Sequence, residues 1–126
     1  MAMRWFNKPK PKEIWEVPVA WPIGDIEAAH RIRDICRAAA DSAAKAGTPN
    51  AKDRQEEFQR FERAARAAME TAMKIGDDLL RDTAVRQIID LCLTAEDVRT
   101  ARILFRAIQA PTIRDEVLRD HPILAQ

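Results

Sequence analysis

RQEEFQRFERAARAAMETAMKI, residues 54–75, decides the fold. At about 100° per residue, the α-helical period, Phe58, Phe61, Ala65, Ala68, Met69, Ala72 and Ile75 fall on one side. Glu56, Arg63, Arg66, Glu70 and Lys74 fall toward the other. That is an amphipathic helix with one buried stripe. The stripe is mostly alanine, so a partner helix can approach closely, and phenylalanine and methionine fill the gaps near its ends.

On either side of this helix the same period recurs. Asp25 is the expected N-cap of a first helix whose stripe is Ile26, Ala29, Ile32, Cys36, Ala39, Ala40 and Ala43. Gly47 is expected to close it as a left-handed residue. Thr48 or Asn50, around Pro49, is expected to cap the second helix, which ends at Gly76. Asp77 opens a third helix to about residue 93, with Leu80, Ala84, Ile88, Leu91 and Cys92 inward. Thr94 and Asp97 resemble a capping box for a fourth helix that Pro111 breaks. Thr112 and Asp115 start a short fifth helix that Pro122 stops. Gly24, Gly47 and Gly76, the only three glycines, all lie at predicted helix boundaries, so local chemistry and global pattern agree. The expectation is an all-α, four- to five-helix bundle over residues 24–126.

Residues 1–23, MAMRWFNKPKPKEIWEVPVAWPI, are different. They hold all three tryptophans, Trp5, Trp15 and Trp21, and four of the seven prolines. Proline fixes φ and removes a donor, so an extended arm is expected. Residues 14–17 have the composition of a short strand. The arm either lies across the helical body with its tryptophans in grooves or docks on another protein through them.

Composition removes several function classes. Apolar residues at 47% and charged residues at 33% exclude a disordered chain. No apolar run approaches the ~18 residues of a membrane span, and the basic N-terminus lacks the apolar region of a secretory signal. A cytoplasmic protein is expected, and 15 arginines against 6 lysines, with abundant alanine, associate it with a bacterial source. Residues 1–12 carry four basic groups and no acid, whereas the remainder has 17 basic and 20 acidic residues, a net of −3. The body is not a polycation seeking nucleic acid.

The charges on the helices pair at four-residue spacing: Glu27–Arg31, Asp41–Lys45, Glu56–Arg60, Glu62–Arg66, Glu70–Lys74, Asp77–Arg81, Asp82–Arg86 and Asp115–Arg119. Such pairs mark solvated faces. One group escapes: Arg99, Arg102 and Arg106 line one side of the fourth helix with Ile103 among them. Arginine beside a large apolar residue is what interfaces favour, and the same guanidinium groups match phosphates. Glu27-Ala-Ala-His30 has the spacing of a di-iron ligand pair, but the second copy that such a site needs is missing. Cys36 and Cys92 lie within apolar stripes, as small hydrophobes do. No phosphate loop, nucleophile elbow or Cys-x-x-Cys motif occurs, and no cofactor is expected. The expected function is non-enzymatic binding of a protein partner, including a second copy of the chain, through helix faces and the aromatic arm. The alternative is nucleic-acid binding by the fourth-helix arginines with the Lys8–Lys12 arm.

Overall fold

A computed structural model describes residues 11–126. Five helices follow in order: α1 (Asp25–Ala46), α2 (Arg54–Ala72), α3 (Asp78–Thr94), α4 (Val98–Ala107) and α5 (Pro111–Asp120). Short 3-10 turns cover Ile14–Glu16 and Pro122–Ala125, and no strand occurs among the described residues. The all-α bundle is the one expected. Residues 14–17, read above as a possible strand, hold a 3-10 turn with no strand to pair with, and Trp15 at its centre is buried.

The first two helices form the heart of the bundle. Ala28, Ala39, Ala43 and Ala46 of α1 are buried, as are Ala64, Ala65, Ala68 and Ala72 of α2. Ile32, Ile35 and Phe61 fill the larger spaces. The α2 stripe lies where its period puts it. The α1 stripe is rotated toward Ala28, Ile35, Ser42 and Ala46, while Ile26 is 64% exposed. Alanines occur on several sides of α1, so the period alone does not choose among them; the side that carries Ile35 is the one that packs on α2 and α3.

The helix ends also depart from expectation in instructive ways. Gly24, not Asp25, precedes α1, and the Asp25 carboxylate instead accepts the backbone N–H groups of Gly76 (3.1 Å) and Asp77 (2.8 Å). This bond sets the start of α1 beside the end of α2, so the two run antiparallel. Gly47 has φ −81°, which any residue adopts. What requires glycine there is space: an added Cβ would lie 2.2 Å from the Thr94 carbonyl oxygen. The 48–53 connection serves α1 rather than capping α2. Thr48 donates its hydroxyl to the Ala44 carbonyl, and Arg54 donates to that of Ala46. Thr94 belongs to α3, and Asp97 alone caps α4 by accepting from the Thr100 N–H at 3.2 Å.

α3 packs against all four other helices. Ala84, Val85, Ile88, Ile89, Leu91 and Cys92 are therefore all buried. Of the eight four-residue charge pairs, only Asp41–Lys45 forms, at 3.1 Å, among the described residues. Two arginines reach across elements instead, Arg60 to Glu13, and Arg86 to Glu116 and Asp120, while Arg33 and Arg81 pair with acids on their own helices. Asp82 is not a surface group but is wholly buried.

Phe61 is 1% exposed, with the Phe58 ring 5.4 Å away between centroids. Replacing Phe61 by alanine is expected to cost roughly 3 to 5 kcal/mol, the usual loss for a buried phenylalanine. Urea denaturation of the variant measures this; an unchanged midpoint would contradict the packing.

Candidate partner-binding surface

The fourth helix is built to show one face. Glu96, with φ 62°, turns the chain back after α3, and the Asp97 N–H donates to the Cys92 carbonyl at 2.8 Å. Ala101 and Leu104 then point into the core, with Ile108 wholly buried just beyond the helix. Positions 99, 103 and 106 fall opposite at helical spacing. Arg99 and Arg106 are exposed, and Ile103 is 55% exposed between them. Neither arginine has an ion-pair partner among the described residues. The structure thus brings three of the four singled-out α4 residues onto one open stripe.

Arg102 is different. It is half-buried and donates from Nη2 to the Ile123 carbonyl oxygen at 3.3 Å, while its Nε is buried without an acceptor. It anchors the C-terminal turn to α4. Spacing cannot distinguish it from Arg99 or Arg106, because the turn that covers it lies 21 residues further along the chain.

The arm residues divide similarly. Trp5 lies outside the described residues. Trp15 is 9% exposed and sits beneath the Arg60 guanidinium, 4.9 Å from its ring centroid. Arg60 also grips both oxygens of Glu13, at 2.8 and 2.9 Å, and donates to the Ser42 hydroxyl and the Ala38 carbonyl. One guanidinium therefore joins the arm, α1 and α2. Trp21 is 41% exposed, with Lys74 Nζ 4.8 Å above its ring, and it follows a segment tied down by a bond from Arg31 to the Val17 carbonyl. Of the two described tryptophans, only Trp21 presents surface.

A feature that sequence reasoning missed lies beside α4. α2 and α4 both lean on α3 and leave a groove of about 250 Å³ between them, floored by Phe61, Ala65, Met69, Ile88 and Leu104. Its polar rim includes Glu62, Arg66 and Asp97. Nothing in a single helix period announces a groove made by three elements.

Burial pushes the Cys36 thiol up to about 11 and the Cys92 thiol up to about 12, far from a reactive thiolate. His121 Nε2 lies 2.9 Å from an Asp90 carboxylate oxygen, and His30 is exposed on α1. Among the described residues, no three His, Cys, Asp or Glu side chains gather as a metal site requires. No helix among them is long and apolar enough to cross a membrane. Comparisons with protein-family models, with curated proteins and with solved structures found no match to this chain.

The Arg60–Glu13 bond sets a pH dependence. The hydrogen bond from Arg60 holds the Glu13 carboxyl below its ordinary value near 4.5. A depressed carboxylate pKa stabilises the docked arm above the ordinary value, and this stabilisation is lost as the pH falls through the lowered one. With Trp5 and Trp21 replaced by phenylalanine, Trp15 emission is expected to shift to the red on acidification below about pH 4.5. The shift is expected to be absent in Glu13→Gln. Emission that does not respond to acidification, or that responds equally in Glu13→Gln, would overturn the assignment.

Proposed function

We propose that this protein is a small non-enzymatic interaction module that binds a protein partner, with the α4 face as its principal contact. The single observation that supports this most is Ile103, 55% exposed between Arg99 and Arg106, which are exposed and without ion-pair partners among the described residues. Interfaces concentrate arginine and large apolar groups, and on α4 the two exposed arginines flank a large exposed apolar side chain. Trp21, open on one side, is the arm's contribution, whereas Trp15 and Arg102 act by holding the arm and the C-terminal turn in place. A cytoplasmic adaptor, scaffold or regulatory subunit fits this surface, and a second copy of the chain is one form the partner can take.

The charge balance favours a protein over a nucleic acid. The chain beyond residue 12 carries a net of −3, and only two of the three α4 arginines are open, fewer than the phosphate contacts of a tight nucleic-acid binder. Charge reversal of Arg99 and Arg106 to glutamate separates the readings. Partner capture from the native cell is expected to fall at least about tenfold, a loss of ~1.4 kcal/mol, with thermal stability almost unchanged because exposed charges contribute little to it. Wild-type chain retained on duplex DNA or RNA at physiological salt, with the reversal ending it, would overturn the proposal.

A further inference from the structure

Three polar side chains of α3, spaced four residues apart on one stripe, hold the C-terminal part of the chain along its length. Asp82 Oδ2 accepts the backbone N–H groups of Gln109 (3.1 Å) and Ala110 (2.8 Å). Arg86 reaches Glu116 with Nη1 and Asp120, 2.9 Å away, with Nη2. Asp90 meets His121 Nε2 at 2.9 Å. The apolar grip on the same segment is short: Val117 is the one buried residue of α5, Leu124 that of the final turn, and Ile113 and Leu118 are only partly buried against the core. The packing partners of α5 are α3 and the final turn. The segment is joined to α4 through Ile108 and Ala110, both with extended backbone, and Ile108 itself is wholly buried.

We infer that residues 109–126 form a strap that opens from α3 as one unit, ahead of the unfolding of the bundle. Its ion pairs are partly exposed, with Arg86, Glu116 and Asp120 side chains at 31, 40 and 53%. Pairs of that kind hold weakly and are screened by salt. The Asp82 anchor is costly to keep closed: its Oδ1 is buried with no hydrogen-bond partner, and Arg81 Nε comes no nearer than 4.0 Å. Opening returns that oxygen to water and so recovers part of the cost of its burial. α1, α2 and α3 keep their mutual core throughout, because none of their shared apolar contacts runs through the strap.

The strap also governs what α4 presents. Closed, its final turn holds Arg102 through the Ile123 carbonyl, and Arg114 lies 5.7 Å from the Phe105 ring centroid. Open, it frees Arg102 and uncovers Phe105, adding a guanidinium and an aromatic ring to the stripe of Arg99, Ile103 and Arg106. Strap opening is thereby a switch on the extent of the α4 face; this second step rests on the proposed binding role, and the opening itself does not.

Hydrogen–deuterium exchange of the full chain at neutral pH, read by peptide, tests the opening without any partner. The α5 and final-turn amides are expected to exchange together and faster than those of α3. Arg86→Ala, a change at a partly exposed site, is expected to speed exchange of the strap by about 5- to 30-fold and leave α1, α2 and α3 unchanged. Val117→Ala is expected to act on the same amides alone. Strap amides as protected as those of α3, or variants that speed exchange equally in every helix, would overturn the inference.

Discussion

The close approach of α1 to α2 is the constraint on which the rest of the structure depends. Facing alanines let the two backbones come together, and every neighbouring element must respect that separation. Alanine contributes little apolar area per residue, so the core also needs large side chains placed where the small ones leave room. Ile32, Ile35, Phe61, Ile88, Ile89 and Ile108 meet that need and are almost wholly buried. The same tightness extends to the helix ends. At Gly47 the end of α1 comes so near the Thr94 carbonyl that a single methyl group would not fit. A bundle of this kind gains stability from packing density rather than from the size of any one residue.

Alanine faces are nearly featureless along their length, so apolar contact alone specifies register poorly. Three cross-element polar anchors supply what the alanines lack. Asp25 ties the start of α1 to the turn between α2 and α3. Arg60 ties the arm to α1 and α2 through four acceptor atoms and the Trp15 ring. Asp82 ties α3 to the junction of α4 and α5. Sliding a helix that carries one of these anchors by one turn would break it, and at Asp82 would leave a buried charge without its partners. That penalty is far larger than the fraction of a kcal/mol gained from a surface pair four residues apart. Charge in this fold therefore sets geometry more than it adds stability.

Much of the architecture was legible because its punctuation is local. Glycine and proline lie at or near the boundaries, and the α2 stripe has one period and one apolar side. What could not be read was any choice that depends on a distant element. The burial of α1 turned on where α3 lies, and its several alanine-bearing sides left the period undecided. Asp82 and Arg86 satisfy the spacing of a surface pair, yet each is claimed by groups some thirty residues away, with Asp82 drawn inward by two backbone donors. Trp15 and Trp21 look alike in an arm rich in proline, and only the position of Arg60 distinguishes the buried ring from the open one. The groove between α2 and α4 is likewise a property of three helices at once.

The same reasoning explains why arginine carries so much of this molecule. Its long stem packs on apolar surface while its planar head reaches several acceptors in fixed directions. Arg60 and Arg86 use that geometry fully, each spanning two or more elements. Arg99 and Arg106 have the same chemistry and no such partners among the described residues, on a helix whose other side is firmly in the core. Arg102 lies between these cases, with one bond to a carbonyl and a buried Nε left over. A guanidinium that is satisfied in part costs more to keep buried than either a fully bonded or a fully hydrated one. The α4 face thus carries two guanidinium groups with no internal use among the described residues beside an exposed isoleucine, and the strap that claims Arg102 has a single buried residue in each of its two elements, Val117 in α5 and Leu124 in the final turn.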